Sequence, residues 1–204
     1  MNMKDNSSNM LVSDSVVDEL ASIDALIFDC DGVLVDITQS YDTAINKTVS
    51  YILDDILQIQ AENIVTPDIL YGFKSKGGFN DEVAVCYAVV LTSYAAKKLD
   101  KQFDEVIKDV IVNSNERGIL SVDEYLTSLD IEISSMKEKL NYSNPHETSY
   151  IYTVFDQIFY GAELYEEIYD IPSKLSATGL IEKDEVLINS ETVSYTHLTL
   201  PTKA

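Results

Sequence analysis

The sequence predicts an α/β fold of which one core strand is present, followed by a mostly α-helical stretch. Three observations carry this. Ala25-Leu26-Ile27-Phe28 is a short continuous apolar run that stops at Asp29-Cys30-Asp31-Gly32, the pattern of a buried parallel strand entering a turn. From Tyr41 onward, apolar residues recur at helical spacing in one segment after another. No comparable strand pattern interrupts those segments. A single strand cannot form a sheet, so either the rest of an α/β core is missing or the strand reading is wrong.

Residues 1–20 are rich in Ser, Asn and Asp, and are expected to be mobile up to a short helix near Val16–Leu20. Tyr41, Ala44, Ile45, Thr48, Val49, Ile52, Leu53 and Ile56 follow the i, i+3, i+4 repeat of one helix. Thr66-Pro67 reads as a cap followed by proline at the first helical position, with that helix ending near Phe73. Lys74 to Phe79 reads as a loop with two cationic side chains and two glycines. Val83, Cys86, Tyr87, Val90 and Tyr94 mark a long helix, and Val106, Ile107, Val110 and Ile111 another. Ser121-Val122-Asp123-Glu124 has capping-box spacing and is expected to open a helix. The pattern from Ile131 to Leu140 is weaker. Asn144-Pro145 is a stop or start signal, and Tyr150 to Tyr169 is aromatic-rich and helical. His146 is expected on the surface, and the tyrosines of that last segment in the core.

The 204 residues suit one domain, or one domain with an insertion, and at 46% hydrophobic they can bury a substantial core. The net charge of -21 argues against nucleic acid or an anionic membrane as a partner, because both reward clustered Lys and Arg. An acidic surface also repels phosphate esters, so a phosphate site here needs a metal ion, backbone N–H groups or a few lysines. No apolar run approaches the roughly 20 residues that cross a bilayer. Met1 to Met10 lacks the apolar core of a secretory signal, so a soluble, cytoplasmic protein is expected. The two cysteines, Cys30 and Cys86, lack metal-type spacing and read as small buried packing residues.

Asp29 and Asp31 stand two residues apart at the carboxyl end of the expected strand, the edge of an open α/β sheet where ligands bind. Two such carboxylates suit Mg²⁺, which takes few carboxylates together with phosphate oxygens and waters. They also suit divided labour. One attacks phosphorus, and the other protonates the leaving oxygen and then activates water. Gly32 allows a tight turn over a phosphate.

The run Leu26-Ile27-Phe28-Asp29-Cys30-Asp31-Gly32-Val33-Leu34-Val35-Asp36 resembles the first signature of the haloacid-dehalogenase-like (HAD) superfamily almost position for position. The resemblance implies a Rossmann-like α/β core with an α-helical cap. It implies Asp29 as nucleophile and Asp31 as general acid/base. It further implies Mg²⁺ held by the Asp29 carboxylate and the Asp31 backbone carbonyl. An aspartate at the second position marks phosphatases and phosphomutases rather than dehalogenases. Asp36 matches a recurring acid of cap-bearing members, and equally suits capping the helix that starts near Thr38. In one branch of the family a helical cap is inserted just after this motif and selects the substrate. That division gives residues 21–37 as first strand and catalytic loop, 38–180 as cap, and 181–192 as the return toward the core. Within the cap, Lys74, Lys76, Gly77 and Gly78 are candidates for a substrate-facing loop, since cations and free N–H groups suit phosphate or carboxylate. An ordinary helix connection is the alternative.

Three further signatures of that family should follow the cap: a strand ending in Ser or Thr, a Lys or Arg, and an acidic pair. They are not found. Val186-Leu187-Ile188-Asn189-Ser190 has a superficial likeness to the first of them and reads as the end of the cap. Val193 to Thr202 can be encoded by GTC TCT TAT ACA CAT CTG ACG CTG CCG ACG, which resembles a transposon-end sequencing adapter read as protein. The single arginine, Arg117, amid many Lys, Ile, Asn and Tyr points to AT-rich coding. Residues 193–204 are therefore expected to be non-native. The leading expectation is a Mg²⁺-dependent phosphatase of a small phosphorylated metabolite, phosphoglycolate-phosphatase-like. A phosphomutase using the same aspartates and a non-catalytic, incomplete chain are the alternatives.

Overall fold

The computed structural model describes Ser22, Asp24 and residues 27–176 and 178–187. The expectations for residues 1–20, Ala25, Leu26, Ile188–Ser190 and 193–204 lie outside these.

The described chain is mostly helical, with one small antiparallel ribbon, consistent with part of an α/β fold. Helix α1 (Thr38–Ile52) buries Ala44, Ile45, Thr48, Val49 and Ile52, the face its sequence repeat dictates. It continues through a π-helical turn, Leu53–Leu57, and stops at Gln58 in the left-handed conformation. Helix α2 (Pro67–Lys74) starts as expected: Thr66 accepts the N–H of Ile69 at 3.3 Å and Pro67 follows. Helix α3 (Glu82–Leu99) opens with Asp81 accepting the N–H of Val83 at 2.9 Å. It is buried on nearly every face from Val83 to Ala96, which explains its almost unbroken apolar sequence.

Four more helices surround it: α4 (Phe103–Asn113), α5 (Ile119–Ser128), α6 (Ser134–Leu140) and α7 (Tyr150–Tyr169). Together with α1, all four pack against α3. The expected capping box at Ser121 is corrected. Helix α5 begins at Ile119, so Ser121 lies inside its first turn and its hydroxyl donates to the carbonyl of Gly118 at 2.6 Å. Glu124 forms a bidentate pair with Arg117 instead, at 2.7 and 2.8 Å. Gly118 (φ +59) is pressed against Gly78, where a Cβ would stand 2.2 Å from the Gly78 carbonyl oxygen. Only glycine on both sides lets these loops touch.

Helix α7 is broken at Gly161, with φ 79 and ψ 170. The break returns its second half toward its first. The Tyr169 hydroxyl donates to Asp156 at 2.8 Å, although 13 residues of straight helix span about 20 Å. His146 Nδ1 lies 3.0 Å from the same oxygen, and its ring stacks on Tyr152 with centroids 3.9 Å apart. His146 is exposed, as expected, and its ring also joins this network. Of the tyrosines, Tyr165 is buried, while Tyr150, Tyr152, Tyr160 and Tyr169 are half-buried.

The strand reading is corrected. Ile27 and Phe28 are 99% and 63% exposed and belong to no strand. Pairing occurs further on, between β1 (Val35–Asp36) and β2 (Glu185–Val186), and it is antiparallel, with Val35 opposite Val186 and Asp36 opposite Glu185. A strand needs at least one neighbour for its backbone hydrogen bonds, and the described residues offer Ile27 and Phe28 none. Cys86 is buried as expected, whereas Cys30 is exposed because it lies in this open segment.

Candidate active site

The Asp29–Asp36 segment is a compact turn. The Cys30 carbonyl accepts the N–H groups of Val33, Leu34 and Val35 at 3.3, 2.8 and 3.0 Å. Gly32 takes φ +74 and donates its N–H to the Val35 carbonyl at 2.8 Å. A side chain at position 32 would be strained by that φ, although the space around it is open. Asp29 and Asp31 are both exposed on this turn. Asp29 Oδ1 accepts the N–H of Cys30 at 2.9 Å. Asp36 Oδ1 accepts the N–H of Thr38 at 2.9 Å. That bond holds its carboxyl below the usual carboxylate range and puts Asp36 at the start of α1. The N-cap position of α1 itself is Ile37, which has no side-chain cap bond. The Leu187 N–H donates to the Leu34 carbonyl at 2.9 Å and ties the turn to β2.

Tyr41, in the first turns of α1, packs its ring on Phe159 of α7, with centroids 4.5 Å apart. Burial pushes the Tyr41 phenol up to about 12, and the charges of Asp31, Glu82 and Asp184 add to the shift. Its neighbour Asp42 is also raised by burial, a shift that Lys74 opposes and Glu82 reinforces. Lys74 and Glu82 pair at 3.0 Å. Asp184, just before β2, has a buried Oδ1 with no hydrogen-bond partner among the described residues. Asp42 also lines, with Asn46 and Asn63, a polar groove of about 450 Å³ along α1.

The other loop candidates are placed differently. Lys74 is the last residue of α2, with its charge engaged by Glu82. Lys76 and Gly77 lie in the turn that follows, and Gly77 has φ +80 with open space around it. Gly78 is committed to the contact with Gly118. Tyr41, Glu82 and Asp184 were not among the sequence candidates. Tyr41 fits the apolar helical repeat so well that it reads as core.

Two carboxylates on one loop are the donor type that Mg²⁺ takes with waters and phosphate oxygens. Among the described residues, no three His, Cys, Asp or Glu side chains are grouped to hold a metal ion. Among the described residues, too, no helix is long and apolar enough to cross a membrane.

No family model matches the chain, and neither does any curated protein. Among solved structures it is similar to phosphatase Tt82 from Thermococcus thioreducens, at 22% identity and a TM-score of 0.50. The match covers 80% of this chain and 55% of that one, so the chain spans about half the length of the solved protein. At that identity the likeness is one of fold alone.

Proposed function

We propose that the chain carries the nucleophile turn of a HAD-like phosphatase acting on a small phosphorylated metabolite, phosphoglycolate being the reference substrate class. The observation behind this reading is the exposed Asp29–Asp31 pair on a turn fixed by the Cys30 carbonyl and opened by Gly32. The division into catalytic loop (21–37), helical cap (38–180) and return segment (181–192) belongs to the same proposal.

In the first step an Asp29 carboxylate oxygen attacks phosphorus and the ester P–O bond breaks. Asp31, as the acid, gives its proton to the leaving alkoxide. In the second, the Asp31 carboxylate takes a proton from water as the water oxygen attacks the aspartyl-phosphate. The bond from phosphorus to Asp29 breaks, releasing phosphate and restoring both carboxyls. Mg²⁺, held by the Asp29 carboxylate and the Asp31 carbonyl, would supply the positive charge that an acidic chain needs beside a phosphate. Lys74 is the cation nearest in role, but its pairing with Glu82 leaves it little free charge.

The test is turnover of p-nitrophenyl phosphate with Mg²⁺. Turnover that disappears in Asp29→Asn and slows in Asp31→Asn supports the reading, whereas equal rates in wild type and Asp29→Asn reject it. A second reading, a chain without catalytic activity, draws on the absence of a third acidic partner for Asp29 and Asp31 among the described residues. It expects no turnover dependent on Asp29.

A further inference from the structure

Two adjacent polar side chains sit among the buried residues of α7: Asp156 and Gln157 are 4% and 2% exposed. A buried polar group costs stability unless its hydrogen bonds are made, and here most of them run to the chain that follows the first half of the helix. Asp156 accepts the Tyr169 hydroxyl at 2.8 Å, across the break at Gly161. Gln157 Oε1 accepts the N–H groups of Lys174 and Leu175 at 2.6 and 3.0 Å and the Ser173 hydroxyl at 2.9 Å. Donors on that atom fix it as the amide oxygen, and Nε2 donates to the Thr153 carbonyl at 3.0 Å.

From these bonds the chain runs to the aspartate turn through a short series of fixed points. Thr178 pairs with Gly161 in an antiparallel bridge. Gly179 passes so close to α7 that a Cβ would stand 2.2 Å from the Tyr160 carbonyl oxygen. Leu180 is buried at the start of a 3₁₀ turn, Leu180–Lys183, that packs on α1 and α7. Strand β2 follows, pairs with β1, and is succeeded by Leu187, whose N–H donates to the Leu34 carbonyl. Among the described residues, the hydrogen bonds that tie the Asp29–Asp36 turn to anything beyond itself and α1 are those with residues 185–187.

We propose that Asp156 and Gln157 form a buried latch that anchors the return segment and, through β2, sets the order of the Asp29–Asp36 turn. A two-stranded ribbon is marginal by itself, so the turn takes its order from β2. Both residues of β2 are exposed and bury nothing, so β2 in turn is held by the chain that leads into it. Segments with few buried contacts open at low free-energy cost, and their anchors set that cost. The latch lies about 120 residues along the chain from the turn it governs, and the coupling is independent of the reaction assigned to Asp29.

The test is amide hydrogen exchange in the full chain and in Gln157→Met, which keeps the length of the side chain and removes the acceptor. Ile151→Val, the loss of one buried methylene from the same helix, controls for general loosening. The N–H groups of Leu34, Val35 and Leu187 are bonded within the turn and across the ribbon. In Gln157→Met they should exchange about 10-fold or more faster, the size expected when a buried acceptor is lost. In Ile151→Val they should keep wild-type rates. Wild-type rates at these three amides in Gln157→Met, with Lys174 and Leu175 accelerated, overturn the latch. So does equal acceleration in Ile151→Val, or a turn that is unprotected in the wild type. If Gln157→Met does not fold, Tyr169→Phe removes a single hydroxyl of the latch and should accelerate the same amides about 5-fold. Wild-type rates there overturn it equally.

Discussion

Residues 27–37 and residues 38–57 are neighbours in the chain and opposite in behaviour. Both are rich in apolar side chains. The first segment leaves Ile27, Phe28 and Val33 exposed and forms only a two-residue strand. The second buries Ala44, Ile45, Val49, Ile52, Leu53 and Leu57. A helix satisfies its backbone within itself and needs only a surface for one face. A strand needs partners for its backbone as well, and a lone ribbon is marginal. Equal hydrophobicity therefore gives order in one segment and an open turn in the other. The open turn is where the candidate chemistry sits.

The largest effect expected from breaking this contrast is chemical. Asp29→Asn should remove phosphate-ester turnover by on the order of 10³-fold or more while leaving the helical signal in circular dichroism intact. Unchanged turnover would detach the open turn from function. Next is packing. Phe73→Ala removes a fully buried ring that packs at a tilt against Phe79 and should cost about 3–5 kcal/mol in urea unfolding. Phe28→Ala, on the exposed segment, should cost no more than about 0.5 kcal/mol. Similar costs would mean that Phe28 is packed after all.

Gly118→Ala comes third. It combines φ +59 with a Cβ 2.2 Å from the Gly78 carbonyl, and should cost more than about 1 kcal/mol. A neutral result would show that the two loops part easily.

The smallest effects are those of pH. Tyr41 and Tyr142 are raised from 10.0 to about 12, chiefly by burial. Their contribution to stability is fully present below pH 10 and is lost as pH rises from there toward 12. Alkaline unfolding should steepen in that window, and less so in a Tyr41→Phe/Tyr142→Phe variant. At the acid end, Asp36 is lowered by its bond to Thr38, so its contribution is present above the usual value of 3.8 and fades as pH falls through the lowered one. Asp36→Asn should flatten a slight acid slope in the melting temperature.

Much of the helical body was legible because its determinants are local. The repeats at Tyr41–Ile56, Val83–Tyr94 and Val106–Ile111 each became a helix, and the Thr66-Pro67 cap formed as read. The Ser121 capping box failed because Gly118 starts that helix earlier, at a contact with Gly78 that no spacing rule announces. The break at Gly161 was equally silent, since a glycine inside an aromatic helix signals no direction of bend. At the candidate site, Asp29, Asp31 and Gly32 were evident from their pattern.

The sequence by itself determined the helices, the burial of Cys86 and the acidic turn, because periodicity, caps and glycine conformation act over a few residues. The tertiary structure alone decided the rest. It left Ile27 and Phe28 without a sheet and paired Lys74 with Glu82. It also folded Tyr169 back to Asp156, and packed the Tyr41 ring on Phe159. Each of these depends on groups far apart in the chain arriving together, and that proximity is fixed by the packing of the whole body rather than by any one segment.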